Sequence, residues 1–377
     1  MYPRILHINH EKTWRGGERQ ALMTVCEQRR QGIDSWMACR HGAPLEEKCR
    51  AAGVPTIALP SAAPLVLLKL ARVMRGFDLI HCHSGRAHSM ATLADPFARR
   101  PLVVSRRVDF LPRNSWFNRF KYRRADRIVC VSQYIANQMR TWMGKSGSLS
   151  VIYDAAEPDE NPRSKEACVQ ELRLKVALPP GMRIVGNIAA LVGHKDHATL
   201  LRAARSVVDR CPEIAFVIIG DGKIEEDLLR LRGELDLDHY VHFTGFLPNA
   251  QTFLPAFDVF AMSSCMEGLG SIVLDANLAG VPVAATAGGG LPEIVENNET
   301  GLLVPVGDAE GLSHAILQLL NDPALGARLT RHAQARTRAE FSPAQMAIKY
   351  FEIYQEIRRK RRARSPRSLA WAGETHE

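Results

Sequence analysis

The sequence predicts an α/β fold made of two doubly wound domains, each with a parallel sheet covered by helices on both faces. Short apolar runs alternate with helical patterns in both halves of the chain, and strands separated by helices form such sheets. A length of 377 residues allows two domains that each bury a core. Residues 154–164 are rich in Glu, Pro and Asp, which predicts a linker between the domains.

Seven apolar runs in the first half predict strands. The segments between them predict helices, for instance over residues 18–30, 65–75 and 133–143. The predicted strands are residues 4–9, 35–39, 55–59, 78–83, 102–105, 127–132 and 149–152.

The second half repeats this scheme with six predicted strands, at residues 184–188, 215–219, 241–244, 259–262, 281–285 and 302–304. Its predicted helices include residues 197–209, 223–235, 272–279 and 311–320, and a last helix covers about residues 343–359. Ligands of doubly wound sheets bind beyond the carboxyl ends of the strands. We therefore expect the functional residues in the loops that follow strands.

Charge is divided unevenly along the chain. Residues 1–150 contain 25 Lys and Arg against 10 Asp and Glu, whereas residues 151–355 contain 17 against 27. A basic first half predicts an anionic partner, for which a membrane surface, a phosphorylated lipid-linked acceptor and a nucleic acid are candidates.

The chain shows no membrane-spanning pattern. Its longest apolar stretch, residues 62–73, is interrupted by Pro64, Lys69 and Arg72 and is shorter than the roughly 20 residues that a span needs. No signal-peptide core precedes the first strand, and the eight cysteines form no C-x-x-C pair. We expect a cytoplasmic protein with reduced cysteines.

Residues 264–280, SCMEGLGSIVLDANLAG, carry the strongest functional signal. Glu267 precedes a glycine-containing loop, Gly268-Leu269-Gly270, and Asp275 follows inside a helix-like run. Backbone N–H groups at a helix start favour an anion such as phosphate, and carboxylates accept hydrogen bonds from sugar hydroxyls. This combination predicts a nucleotide-sugar site.

The segment resembles the acid-x7-acid signature of the retaining, nucleotide-sugar-dependent glycosyltransferases of family 4. Asp275 replaces the usual second Glu and Asn277 replaces an Ala. A GGxPE-like element follows at residues 289–293, and the resemblance extends from residue 15 to residue 354. It implies a GT-B fold, in which two Rossmann-like domains face a central cleft.

The resemblance also implies a domain plan. It places an acceptor-side domain at residues 1–155 and a nucleotide-sugar-binding domain at residues 165–340. A C-terminal helix, residues 341–360, crosses back to the first domain, and residues 361–377 form a basic tail that we expect to be disordered.

By the same resemblance, three residues carry the chemistry. Lys195 contacts the diphosphate, Glu267 binds hydroxyls of the transferred sugar, and His83 faces that sugar. Asp275 takes the ribose hydroxyls. The family arginine falls at Ala190; either Arg15, Arg86 or Arg106 substitutes for it, or the donor is held less tightly.

Glycine amides and one arginine complete the predicted donor site. Arg106 and its neighbour Arg107 end a strand and are suited to an anionic acceptor or the diphosphate. The residues predicted to approach the phosphates or shape the nucleotide pocket are Gly16, Gly17, Gly220, Gly222, Gly268, Leu269 and Gly270.

Purely structural roles are alternatives for three of these residues. Lys195 can be an exposed lysine at a helix start, Glu267 a helix cap, and His83 a structural histidine. His81-Cys82-His83 also suggests a metal site, but no further ligands accompany it, and we expect a metal-independent enzyme. Alternatives at the level of function are a hydrolase, a phosphorylase, a sugar-nucleotide epimerase, a nucleic-acid binder and an inactive sugar-binding regulator.

Residues 113–124, RNSWFNRFKYRR, mix four aromatic residues with five cations. Such a helix either lies in a membrane interface or packs its aromatic side chains into the first domain. The predicted partners are a UDP- or GDP-sugar donor, a glycan or lipid-linked acceptor, and the anionic inner face of the cell membrane. No nucleic acid is expected.

Overall fold

We describe the fold from a computed structural model, in which residues 3–95, 100–108, 110–144, 148–159, 161–176 and 178–363 are described. The chain forms two compact units. The first unit comprises Met1–Asp154 together with Pro343–Glu377, and the second comprises Ala155–Ser342. Each unit contains one parallel sheet.

The first unit contains a seven-stranded sheet in the order β3-β2-β1-β4-β5-β6-β7, with all pairs parallel. The strands are β1 (Ile5–Asn9), β2 (Ser35–Arg40), β3 (Thr56–Leu59), β4 (Leu79–Cys82), β5 (Leu102–Arg106), β6 (Arg127–Cys130) and β7 (Leu149–Val151). The helices are α1 (Gly16–Arg30), α2 (Pro44–Ala51), α3 (Ala63–Val73), α4 (Gly85–Ala94), α5 (Trp116–Arg124) and α6 (Gln133–Met143).

The second unit contains a six-stranded parallel sheet in the order β10-β9-β8-β11-β12-β13. Its strands are β8 (Arg183–Ile188), β9 (Ile214–Ile219), β10 (Val241–Phe243), β11 (Val259–Met262), β12 (Val283–Thr286) and β13 (Leu302–Val304). Its helices are α7 (Lys165–Val176), α8 (His197–Arg210), α9 (Glu225–Glu234), α10 (Ile272–Leu278), α11 (Leu291–Ile294), α12 (Ala309–Asn321) and α13 (Pro323–Glu340).

The last helix, α14 (Pro343–Ala363), belongs to the first unit. Tyr350 and Tyr354 on this helix are fully buried, and Arg361 bonds both carboxylate oxygens of Asp126 at 2.9 and 2.8 Å. This bidentate pair holds the helix beyond residue 360. The expectation of a tail that begins at residue 361 is therefore corrected, because the helix continues through Ala363. The rest of the expected tail lies outside the described residues.

Strand order reverses once in each sheet. β1 lies between β2 and β4, and β8 lies between β9 and β11. The loops that leave two such neighbouring strands in different directions open a crevice at the carboxyl edge. In the first unit these loops carry Gly16 and His83, and in the second they carry Lys195 and Glu267. The topology thus brings predicted site residues together within each unit.

In each unit the helices pack against the sheet and form a buried apolar core with it. Strand β9, IAFVII, is buried at all six positions, as expected for a parallel strand covered on both faces. In the second unit the core includes Phe216, Leu201 and Ile316, and in the first it includes Ile8, Ile80 and Leu70. Within the described part of the chain, no helix is both long enough and apolar enough to cross a bilayer.

Candidate functional site

Lys195 and Glu267 are in direct contact in the second unit. Lys195 Nζ lies 2.5 Å from Glu267 Oε1, and both side chains are largely shielded, with exposed fractions of 18% and 7%. Lys195 lies in a 3₁₀ turn, Gly193–Lys195, and Asp196 caps α8. Lys195 therefore lies two residues before α8, which begins at His197, the first residue of the predicted helix. The pair combines a cation with a carboxylate, as a donor site for phosphate and sugar hydroxyls requires.

The two loops that carry this pair are joined along their backbones. The carbonyl oxygen of His194 accepts from the N–H groups of Cys265 at 3.0 Å and Met266 at 3.3 Å. Ser263 Oγ donates to the Lys195 carbonyl at 3.1 Å, and Ser264 Oγ donates to Glu267 Oε1 at 2.8 Å. These bonds fix the position of the cation relative to the carboxylate, which limits the reorganisation needed on binding.

The triple glycine, residues 288–290, supports Glu267 from the loop after β12. A Cβ added at Gly288 would lie 2.1 Å from the Ser264 carbonyl oxygen, and one at Gly289 would lie 2.2 Å from that of Glu267. Gly290 N–H donates to the Glu267 carbonyl at 3.0 Å. Only glycine allows two backbones to approach this closely, so these glycines serve the Glu267 loop.

Gly220 and Gly222 have a similar role beside the loop that leaves β8. A Cβ at Gly220 would lie 2.0 Å from the Ala189 carbonyl oxygen, and one at Gly222 would lie 2.1 Å from that of Leu191. Gly220 also has a φ of 149°. The two glycines therefore let this turn pack against residues 189–191, next to the position where Ala190 replaces the family arginine. Their predicted part in shaping a nucleotide pocket stays a prediction.

Asn187 and His197 were missed by the sequence analysis. Asn187 Nδ2 donates to the Ala261 carbonyl at 2.8 Å, and its Oδ1 lies 3.2 Å from His197 Nε2. Burial, together with the charge of Lys195, lowers the pKa of His197 to about 4, so the ring is neutral at neutral pH. These contacts tie the ends of β8 and β11 together. No spacing in the sequence signals them.

Asp275 lies on the buried side of the short helix α10. Gly270, just before α10, has a φ of 87°, which favours glycine. Leu269 is buried. Asn277, which replaces the usual alanine, donates to Thr337 Oγ1 of α13 at 3.2 Å. The assignments of Asp275 to ribose and of the Gly268–270 amides to phosphate stay predictions.

In the first unit, Gly16 and Gly17 begin α1. A Cβ at Gly17 would meet no atom within 4 Å, so this glycine is not required by packing. The Glu18 carboxylate accepts from the backbone N–H of Arg15 at 3.0 Å and from Asn9 Nδ2 at 3.3 Å. The backbone N–H of Arg15, at the start of α1, therefore already donates to a side chain and is not available to a ligand.

His83 follows β4 and is buried, with both ring nitrogens occupied. Nε2 lies 2.8 Å from His7 Nδ1, and Nδ1 lies 3.0 Å from an Arg107 guanidinium nitrogen. Burial, with the neighbouring His81 and Arg107, holds the pKa of His83 well below its usual value. A direct bond from His83 to a sugar would require one of these contacts to open.

His7, His81 and His83 form the one group of three potential metal ligands within the described residues, with ligand atoms within 4.8 Å of one another. Every ring nitrogen of the three has a hydrogen-bond partner. The partners of His81 are Tyr354 Oη at 2.7 Å and Ser105 Oγ at 2.8 Å. A metal ion would have to displace several of these bonds, so the residues fit a hydrogen-bonded cluster better than a metal site.

Arg106 is buried and directed toward α5. It donates to Tyr122 Oη at 3.0 Å and to the Phe110 carbonyl, and its guanidinium lies 5.5 Å from the centre of the Phe110 ring. These contacts hold Arg106 against Tyr122 of α5 and against Phe110. To bind a phosphate, as predicted, Arg106 would have to leave Tyr122.

Comparison with known proteins decides the family. Residues 169–336 match the family described as glycosyl transferases group 1, and residues 14–160 match glycosyltransferase family 4. A lipopolysaccharide core biosynthesis glycosyltransferase, LpsE, of Rhizobium meliloti (strain 1021) is 30% identical over 250 residues, covering 66% of this chain and 68% of LpsE. The chain belongs to the group 1 glycosyltransferases of family 4. It is therefore a glycosyltransferase, an enzyme of the EC 2.4 type.

Two further comparisons agree with this glycosyltransferase assignment. A GDP-mannose-dependent alpha-(1-6)-phosphatidylinositol monomannoside mannosyltransferase of Mycobacterium tuberculosis (strain CDC 1551 / Oshkosh) is 30% identical over 332 residues, covering 81% of this chain and 82% of that enzyme. The crystal structure of Anabaena HepE in complex with UDP and glucose has a TM-score of 0.78 at 21% identity, covering 94% of this chain and all of HepE. The latter likeness confirms the predicted GT-B fold class.

Proposed function

We propose that this glycosyltransferase moves a sugar from a UDP- or GDP-sugar to a hydroxyl group of a cell-surface glycan or lipid-linked acceptor, with retention of the anomeric configuration. The observation that carries the proposal is the contact between Lys195 and Glu267 at the carboxyl edge of the second sheet. A fixed cation beside a fixed carboxylate suits a donor that presents both phosphate and hydroxyl groups.

The donor class has support from two relatives of different specificity. HepE was crystallised with UDP and glucose, and the mycobacterial mannosyltransferase is GDP-mannose-dependent. A nucleoside diphosphate occurs in both descriptions, although the bases differ. The shared part is the diphosphate, and this is the group that we assign to Lys195.

The proposed chemistry needs little from the protein besides positioning and charge. Negative charge grows on the leaving diphosphate, where Lys195 stabilises it, while Glu267 and Asp275 hold hydroxyls of the sugar and of the ribose. Retention then proceeds by attack of the acceptor on the same face, with the leaving phosphate accepting the acceptor proton. We propose that no metal ion takes part.

The acceptor class rests on the relatives and on charge. LpsE acts in lipopolysaccharide core biosynthesis, and the mycobacterial enzyme acts on a phosphatidylinositol monomannoside. Both names describe glycans attached to lipids. The excess of cations in residues 1–150 suits a lipid-linked acceptor that carries phosphate.

A two-stage binding and turnover experiment tests this function. We expect UDP or GDP to raise the melting temperature, because a ligand that binds only the folded state stabilises it by about 2.7 kcal/mol at a hundred times its Kd. The matching nucleotide sugar should then release nucleoside diphosphate on incubation, faster with a lipid-linked glycan acceptor. Binding without turnover on any acceptor would instead support an inactive sugar-binding regulator.

We also propose that the enzyme contacts an anionic membrane through α5 and the segment before it. Trp116 and Phe120 are 79% and 47% exposed, and their rings stack with centres 5.7 Å apart. Phe110 is 65% exposed. Arg113 and Arg123 on the same segment are also exposed. Exposed aromatic rings beside cations suit the boundary between acyl chains and phosphate headgroups.

Replacement of both stacked rings should weaken membrane binding. We expect Trp116→Ala/Phe120→Ala to lower the fraction that sediments with phosphatidylglycerol-containing vesicles about tenfold, because the aromatic anchor is lost. The matched control is Leu174→Ala/Phe246→Ala, which removes two exposed apolar side chains of the second unit and should bind as wild type. Equal binding by both double variants would refute the membrane contact.

A further inference from the structure

A continuous row of hydrogen bonds begins at Arg107 in the first unit. An Arg107 guanidinium nitrogen contacts His83 Nδ1 at 3.0 Å, and His83 Nε2 contacts His7 Nδ1 at 2.8 Å. His7 Nε2 contacts Gln28 Oε1 at 2.9 Å, and Gln28 Nε2 donates to Tyr354 Oη at 3.2 Å. The row links the loop after β5 to helix α14.

The direction of this row follows from its first member. A guanidinium only donates, so His83 Nδ1 must accept and the proton of His83 must be on Nε2. His83 Nε2–H then donates to His7 Nδ1, which places the proton of His7 on its own Nε2, where it faces the Gln28 carbonyl oxygen. Each ring is neutral and has a single tautomer. His83 has neither a lone pair nor a proton left to exchange with a substrate.

Arg107 itself is fixed on two sides. Its Nε donates to Asp154 Oδ1 at 2.8 Å, and the side chain is 8% exposed. Burial is the largest single influence and lowers the pKa of Arg107, but the charge and hydrogen bond of Asp154, together with Tyr350 and Glu18, outweigh it, so the pKa is raised above its ordinary value. Within the described part of the chain, its NH2 nitrogen has no hydrogen-bond partner. A buried donor without a partner is destabilising, and a bound anion would supply the missing acceptor.

We propose that Arg107 binds an anionic phosphate group of a substrate through this nitrogen, and that His83 is a positioning residue for Arg107. The inference rests on the proposed function, because that function supplies a phosphate-bearing substrate. It revises the predicted role of His83 as a group that meets the sugar. It also favours Arg107 over Arg106, because both terminal nitrogens of Arg106 already bind Tyr122 and Phe110, and among the described residues only its Nε lacks a partner.

Two variants of His83 separate the positioning role from a direct role. In His83→Asn the amide oxygen takes the place of Nδ1 and can still accept from Arg107. In His83→Gln the amide group takes the place of Nε2 and reaches His7 instead. The readout is whichever response Arg107→Lys changes, either the Kd for UDP or GDP or the stabilisation by inorganic phosphate. In that assay we expect His83→Asn to stay within about threefold of wild type and His83→Gln to be weakened about tenfold. Equal losses in both variants, or no loss in either, would overturn the positioning role.

Arg107→Lys tests the anion site and identifies the source of the phosphate. Lysine keeps a charge beside Asp154, but its single nitrogen cannot hold Asp154, His83 and an anion together. A tenfold weaker Kd for the nucleoside diphosphate would assign Arg107 to the donor. An unchanged Kd, with loss of the further stabilisation by inorganic phosphate of the nucleotide-saturated enzyme, would assign it to an acceptor phosphate. Wild-type responses in both assays would overturn the proposal.

The controls keep this outcome distinct from failure of the proposed function. Ser35→Ala removes a 2.7 Å bond to Gln28 Oε1 in the same buried cluster but leaves His83 and Arg107 untouched, so its binding should match wild type. Tryptophan fluorescence checks that each variant is folded. If wild type binds no nucleoside diphosphate, the proposed function fails; if it binds and the variants do not differ, only the inference fails.

Discussion

Replacing Lys195 with methionine should lower the turnover of nucleotide sugar about 10²–10³-fold, the range found when one stabilising donor is removed from a developing oxyanion. The methionine keeps much of the aliphatic packing but removes the cation that we assign to the leaving diphosphate. Glu267→Gln should lower turnover by a similar factor, because it removes the carboxylate that the Lys195 ammonium contacts at 2.5 Å. Initial rates of diphosphate release measure both effects.

A double variant and a matched ion pair test whether these losses are specific. If Lys195 and Glu267 act as one unit, the double variant should lose little more than either single variant. Lys165→Met is the control. Lys165 Nζ pairs with Asp258 at 2.6 Å in the same unit, but Asp258 precedes β11, whereas Glu267 follows it. Full activity of both folded single variants would remove the site assignment.

The fold was predictable because each part of it has a local signal. A fully buried parallel strand is a short apolar run, as in β9, and thirteen predicted strands correspond to the thirteen in the described residues. Alternation with helices then specifies parallel sheets. Helix α14 was also predictable, although the bidentate contact between Arg361 and Asp126 that extends it was not, because 235 residues separate the partners.

The sequence singled out Lys195 and Glu267, which the structure brings into contact, but it could not show the contacts around them. The motif predicts loops that carry Glu267 and Lys195, yet nothing local shows that the triple glycine supports the Glu267 backbone. The hydrogen-bond partners of His83 were also not predictable from local sequence. His7, Gln28 and Arg107 come from three separate segments, and only the sheet register brings them within bonding distance. A motif gives residue types, whereas the occupancy of each lone pair depends on tertiary packing.

Mild acid should destabilise the first unit strongly. Burial is the main cause that lowers the pKa values of four of its histidines: His7 and His88 to about 3, and His81 and His83 well below 6.5. In the unfolded chain these rings titrate near their ordinary pKa, so the unfolded state binds more protons below about pH 6.5. The stabilisation is therefore complete only well above pH 6.5 and is lost as the pH falls through that value, by about 3 kcal/mol for four rings between about pH 7.5 and 6.0.

Denaturant unfolding followed by tryptophan fluorescence measures this loss selectively, because residues 155–342 contain no tryptophan. His7→Gln should reduce the pH slope by up to about 1.4 kcal/mol per pH unit, the share of one ring, since its amide can still donate to Gln28 but does not titrate. His314→Gln is the control, because that side chain is 60% exposed and lies in the second unit. A denaturant midpoint that stays constant over this pH range would contradict neutral histidines that each have a single tautomer. It would also contradict the inference that His83 positions Arg107.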